Sequence, residues 1–112
     1  MSSRILSSEI GDRVAYILIR YLSGFKINYR EEVMKILPPS LSDLGLIVFE
    51  DLASTLVEIR REDTGSIEYI CRLCRRNFST RKGLYLHLKR IHSSEITDLF
   101  IRELERLIEY NY

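Results

Sequence analysis

The chain has 112 residues, 46% of them hydrophobic and 29% charged, and a formal net charge of +1 at pH 7, which makes one ordinary domain or two very small ones. The longest apolar runs, such as Ile17–Ile19 and Leu46–Phe49, are far too short to span a bilayer, and no signal peptide is visible. A membrane protein is therefore excluded, and a soluble, intracellular chain is expected.

Residues 1–7 show no period. From Ser8, the apolar residues Ile10, Val14, Ile17, Leu18, Tyr21 and Leu22 recur at three- and four-residue spacing with Glu9, Asp12, Arg13 and Arg20 opposite, which predicts an amphipathic helix. Glu9 and Asp12 suit its positive end, and Gly24 offers a left-handed stop. Asn28 followed by Glu31 reads as a capping box for a short helix to Leu37, ended by Pro38 and Pro39. Ser40 and Asp43 then open a longer helix expected to run to about Arg61. Its polar face is Glu50, Asp51, Ser54, Thr55 and Glu58; its apolar face is Val48, Phe49, Leu52, Ala53, Leu56 and Val57. Two helices joined by a short turn invite a helix-turn-helix reading, but the acidic outer face of the second would repel phosphate, so a packing or dimerisation bundle is expected. Glu62–Ser66 is a polar turn around Gly65.

The stretch from Tyr69 to His92 holds both cysteines and both histidines of the chain: Cys71, two residues, Cys74, twelve residues, His87, four residues, His92. Two thiolates and two neutral imidazoles are the donors that Zn2+ prefers, and the two-residue gap lets a tight turn between short strands aim both sulfurs inward. His87 and His92, five apart, fall on roughly one side of a helix whose last turn loosens slightly. One structural Zn2+ is expected. With both cysteines committed to it no disulfide forms, which implies a reducing compartment. All four donors come from protein, leaving no position for water or substrate, and no other histidine or cysteine exists to act as base or nucleophile; an enzyme is not expected.

The apolar residues around the ligands agree. Tyr69-x-Cys71-x2-Cys74-x3-Phe78-x5-Leu84-x2-His87-x4-His92 resembles the C2H2 zinc-finger pattern at every signature position, over about a fifth of the chain. The resemblance implies a ββα finger at 67–92 with Tyr69, Phe78 and Leu84 as its small core, strands at Tyr69–Cys71 and Arg75–Phe78, and a helix from about Thr80 to His92. A finger alone buries too little to fold, so the metal is expected to supply its stability, with a binding free energy on the order of 10–16 kcal/mol. After it, Ser93 or Ser94 caps a helix with Ile96, Leu99, Phe100, Leu104, Leu107 and Ile108 on one side, to be buried on the N-terminal helices or on a second subunit. The expected fold is mainly α: a small bundle of three N-terminal helices (1–66), one inserted ββα finger (67–92) and a C-terminal amphipathic helix (93–112). The chain lacks Gln and has only three Asn, while Ile, Leu, Arg, Glu and Tyr abound. In this it resembles the small single-finger proteins of thermophilic archaea or their viruses. That origin implies a cytoplasmic, nucleoid-associated location, a eukaryotic one a nuclear location.

The net charge hides an asymmetry. Residues 69–92 hold Arg72, Arg75, Arg76, Arg81, Lys82, Lys89 and Arg90 and no acid, a local +7, leaving ten basic against sixteen acidic residues elsewhere, a net of −6. A basic finger on an acidic body offers one surface to a polyanion. The finger resemblance puts the base-reading positions at Thr80, Lys82, Gly83 and Leu86, a poor set: Lys82 can bond guanine or phosphate, Gly83 has no side chain, and Leu86 can touch only a thymine methyl. The cations Arg72, Arg75, Arg76, Arg81, Lys89 and Arg90 instead give backbone affinity, with a log–log salt slope near −5 or −6, at about −0.9 per contact. Tyr85 and Leu86 are expected on the face toward DNA, an apolar pair that suits a protein-binding finger, or stacking of Tyr85 on an unpaired base. The expected function is a zinc-dependent nucleic-acid-binding protein, DNA before RNA, of the transcription-regulator kind. The alternative is an assembly subunit whose finger and C-terminal helix dock a larger protein or ribonucleoprotein, with homodimerisation through the helical segments a further expectation.

Overall fold

In the computed structural model, which describes residues 6–111, the first helix forms where the apolar spacing requires it. Residues 1–5, part of the stretch without a period, and residue 112, the end of the expected last helix, lie outside the described residues. Helix α1 (Ser8–Leu22) is capped by Ser7, whose hydroxyl accepts from the Ile10 amide at 3.3 Å, and the chain leaves it through Gly24 at φ +85°. Helix α2 (Tyr29–Ile36) is capped by Asn28, which accepts from the Glu31 amide at 3.2 Å while its own amide reaches the Glu31 carboxylate at 3.4 Å. Leu37 is extended ahead of Pro38, as a residue before proline must be. A single 3₁₀ turn, Pro39–Leu41, leads into α3 (Ser42–Thr55), which has no side-chain cap; neither Ser40 nor Asp43 takes that role.

Helix α3 ends at Thr55, well short of the expected Arg61. The Thr55 hydroxyl turns back onto the carbonyls of Asp51 and Leu52, at 3.1 and 3.4 Å, and the chain continues as strand β1 (Val57–Arg61). Val57-Glu58-Ile59-Arg60 alternates with a period of two and carries β-branched residues, which suits a strand better than a last helical turn. Strand β1 pairs antiparallel with β2 (Ile67–Cys71), which pairs antiparallel with β3 (Asn77–Phe78), giving the order β1-β2-β3. The polar segment between β1 and β2 is a tight hairpin loop: Gly65 sits at φ +89°, its amide donates to the Glu62 carbonyl, and the Glu62 amide donates to the Ser66 carbonyl, both at 2.9 Å.

Helix α4 (Arg81–His87) runs through a π-helical turn (Leu88–His92) into α5 (Ser93–Asn111) without a break. The expected serine cap is absent. Ser93 is helical, at φ −59° and ψ −45°, and its carbonyl accepts from the Thr97 hydroxyl at 3.0 Å. The wider turn absorbs one extra residue, so the chain need not stop and restart.

Helix α5 buries its apolar stripe on α1 and α3 of the same chain. Ile96, Phe100, Ile101 and Leu104 join Val14, Leu18 and Phe49 in one core, all essentially inaccessible to solvent. Gly11 permits the approach of α5 to α1: a Cβ there would lie 2.6 Å from Ile101 Cδ1 and 2.9 Å from Thr97 Cγ2. The Thr97 hydroxyl also donates to Asp12 at 2.8 Å, tying the two helices together. Tyr69, Cys71, Leu84 and Leu88 belong to this same core. Burying a leucine contributes roughly 1.5–3 kcal/mol, so the helical body shares in stabilising a finger expected to depend on metal alone. The protein is thus mainly α, with a three-stranded antiparallel sheet and a ββα-like element set into its core. Among the described residues no helix is long and apolar enough to cross a membrane.

Candidate metal centre

Each of the four donors is delivered by a different local device. Cys71 ends β2 and is fully buried. The chain then reverses in a turn in which the Arg75 amide donates to the Cys71 carbonyl at 2.7 Å and the Cys71 amide donates to the Arg76 carbonyl at 2.9 Å. Arg75 closes this turn at φ +68°, a left-handed conformation that a side chain adopts at a cost of about 1–2 kcal/mol. The reversal turns Cys74 back toward Cys71. Thr80 starts α4, its hydroxyl accepting from the Gly83 amide at 3.0 Å, and the helix presents His87 from its last turn. The π turn then carries His92 round to the same side, which is how residues five apart share one face.

The Cys71, Cys74, His87 and His92 donor atoms all lie within 4.8 Å of one another, with Cys74 Sγ 3.2 Å from His87 Nε2. Tetrahedral bonds of about 2.3 Å to sulfur and 2.0 Å to nitrogen place donors roughly 3.3–3.8 Å apart, so a single ion would draw the widest pair of this set together by about 1.5 Å at most. Two further observations fit an ion. His92 Nε2 is buried without any hydrogen-bond partner, a state that costs about 1–3 kcal/mol unless something accepts its lone pair. Its other nitrogen, Nδ1, lies 2.8 Å from the Glu95 carboxylate, an acceptor that favours the tautomer with its proton on Nδ1 and Nε2 free to coordinate. Burial pushes the Cys71 thiol above its ordinary pKa. Burial, with the His92 and Arg76 charges, pushes His87 below its own, favouring the neutral imidazole a metal needs. The Phe78 ring packs 4.6 Å from the His87 ring, and Leu84 is fully buried beneath the helix.

Glu95 was not among the residues singled out from the sequence. Its signal was local: a carboxylate one helical turn after a candidate ligand histidine.

Around this centre the basic residues differ in how free they are. Arg75, Arg76, Lys82 and Arg90 are exposed. Arg72 shares the Glu58 carboxylate with Arg60, at 3.1 and 3.0 Å respectively. Arg81 lies against Gly24 and donates to the Tyr69 hydroxyl at 3.3 Å, and the Lys89 ammonium sits 5.6 Å over the Tyr85 ring. Tyr85 is half-buried: its ring stacks on Phe25 at 5.1 Å, where the chain after the left-handed Gly24 passes α4. Leu86 is half-buried, and the Thr80 hydroxyl is occupied by its capping bond. Comparison with protein-family models, with curated proteins and with solved structures finds no match to this chain.

Proposed function

We propose that the chain is a C2H2 zinc-finger protein that holds one structural Zn2+ through Cys71, Cys74, His87 and His92, and that its basic finger face binds nucleic acid, DNA before RNA, as a small transcription regulator. The observation that carries the reading is the convergence of two thiols and two imidazoles within 4.8 Å of one another, with Nε2 of His92 buried and unpartnered, in the segment that concentrates the chain's positive charge. Zinc bound there supplies no reaction; it ties the end of β2 to the finger helix. With four protein donors no coordination position remains for substrate, which favours a binding protein over an enzyme.

Arg75, Arg76, Lys82 and Arg90 are the cations free to meet phosphates, whereas Arg72, Arg81 and Lys89 are engaged within the protein. Four contacts at about −0.9 each give a log–log salt slope near −4, shallower than seven cations would give. Binding is therefore led by the backbone, and specificity must come from DNA shape or a further partner, since the reading set is short of side chains that can hydrogen-bond bases. Gel shift across a salt series tests this. Arg75→Ala/Arg76→Ala should weaken duplex binding and flatten the slope by about 2 units. Unchanged affinity and slope in the double variant would remove the finger face from the reading.

One observation favours a second reading, an assembly subunit. Ile91, in the π turn that follows α4, is 61% exposed, and Leu86 on α4 is half-buried. In that case Leu86→Asp abolishes co-purification with a protein partner from nuclease-treated extract, while leaving duplex binding unchanged.

A further inference from the structure

Strand β1 is the open edge of the sheet: β2 lies on one side of it, and among the described residues no strand lies on the other. The register pairs Glu58 with Ile70 and Arg60 with Glu68. The Arg72 amide donates to the Leu56 carbonyl and the Glu62 amide to the Ser66 carbonyl, both at 2.9 Å, so the even-numbered residues are those whose backbone groups face β2. The N–H and C=O groups of Val57, Ile59 and Arg61 therefore point out of the edge. Charged side chains on an edge strand ordinarily discourage pairing with another chain. Here their placement does the reverse.

We propose that β1 pairs antiparallel with β1 of a second copy about a two-fold axis at Ile59, joining two three-stranded sheets into one of six strands. In that register Ile59 meets Ile59 of the second copy, Val57 meets its Arg61, and Glu58 meets its Arg60. All outward-pointing backbone groups of β1 then find partners, because the odd-numbered residues face one another. Opposite charges meet twice, once on each side of the axis, and each Glu58 carboxylate, which already accepts from Arg60 and Arg72 of its own chain, is then shared with Arg60 of the second copy. Shifting the axis by one residue keeps the backbone parity but sets Glu58 against Glu58, or Arg60 against Arg60. The charge sequence Glu-Ile-Arg is thus self-complementary in one register and self-repelling in its neighbours.

The apolar surface agrees. Ile59, at the proposed axis, is 61% exposed. It borders an open cleft of about 420 Å³ whose walls include Tyr21, Phe25 and Ile67. Residues directly opposite in a ladder share a face, so Ile59 of the second copy would land on the cleft side of the sheet. Pairing would remove this apolar surface from water and satisfy the edge in one step. The inference goes beyond nucleic-acid binding and does not depend on it: it concerns the surface of β1 alone and is tested without nucleic acid.

Sedimentation equilibrium of the zinc-loaded full chain reads it out. Wild type should be a concentration-dependent dimer. Glu58→Lys alone and Arg60→Glu alone should each weaken dimerisation by roughly tenfold or more, as two attractive cross-strand pairs become repulsive. An equimolar mixture of the two variants should recover the dimer, because each changed charge then meets its opposite across the axis. Ile59→Pro, which deletes an outward N–H that β2 does not use, should also be monomeric, with far-UV circular dichroism and metal uptake confirming that it folds. A wild type that stays monomeric to roughly millimolar concentration, single variants that dimerise as wild type does, or a mixture that remains monomeric would each overturn the proposal. None of these results bears on the Arg75/Arg76 gel shift, so the two readings fail separately.

Discussion

If the proposed site holds Zn2+, replacing Glu95 with alanine should weaken its binding although Glu95 is not among the four donors. Its carboxylate lies 2.8 Å from Nδ1 of His92, a ring that is itself buried. Without that acceptor nothing keeps the proton on Nδ1, and the imidazole must hold its tautomer and orientation by packing alone. Partners of this kind are worth about 10- to 100-fold in metal affinity, or about 1.4–2.7 kcal/mol. The Glu95 side chain is 52% exposed, so water can replace part of what it does, and the lower end, about tenfold, is expected. Competition for Zn2+ against a chromophoric chelator at neutral pH measures it. Two companions make the result specific. Glu103→Ala removes a carboxylate from the same helix that pairs with Arg106, away from His92, and should leave affinity unchanged. His92→Ala should lose far more than Glu95→Ala, because it deletes a donor outright. A Glu95→Ala protein that binds Zn2+ as tightly as wild type would refute the assignment of His92 Nε2 as the coordinating atom held by its neighbour.

Leu88, fully buried in the π turn between the two histidines, packs into the core shared with α1, so Leu88→Ala should cost about 3–5 kcal/mol in denaturant unfolding. A loss below about 1 kcal/mol would mean that the ββα-like element is not joined to the body there. Chelation of the metal should release the segment from Ile70 to Thr80 while leaving the helical core standing, since α1, α3 and α5 pack on one another through Val14, Leu18, Phe49 and Phe100 as well as around Cys71. Hydrogen exchange would show this as protection lost in β3 and the preceding turn but kept in α1; global loss would mean that the metal carries the whole fold. The hydrogen bond from Tyr29 to Glu50, then burial and the Glu50 charge, raise the Tyr29 phenol above its ordinary pKa of 10.0. The folded state therefore favours the protonated phenol: its contribution is complete below pH 10 and is lost as pH rises through the raised value. Denaturation midpoints above pH 10 should fall more steeply in wild type than in Tyr29→Phe, and parallel curves would count against the linkage.

What could be read without coordinates was whatever depends on neighbours a few residues away. The 3.6-residue period of α1, the Asn28–Glu31 cap, the stop at Gly24 and the reversal at Pro38–Pro39 are all local, and so is the spacing of Cys71, Cys74, His87 and His92. Even the strained fit of two histidines five apart was legible as a need for a looser turn, which the chain meets with a π turn at Leu88–His92. Glu95 lies within that local reach too, one turn beyond His92, but a carboxylate at that spacing is common on any helix and singles out no site on its own.

The stretch after Leu52 shows where local reading fails. Leu52, Leu56 and Val57 continue a helical period, while Val57, Ile59 and Arg61 begin a strand alternation, and both patterns fit the same residues. Only the ladder with Ile67–Cys71, across a loop, selects the strand. Tyr85 is the same case on a smaller scale: its place on α4 aimed it at solvent, and the ring it stacks on, Phe25, comes from sixty residues earlier. Composition and spacing by themselves determined that four donors would meet and that the charge would gather beside them. The pairing of β1, the burial of α5 on α1 and α3, and the number of cations left free were decided by tertiary contacts alone. The physical reason is that a period records which side of a segment is apolar, whereas the partner covering that side is supplied from a distant part of the chain.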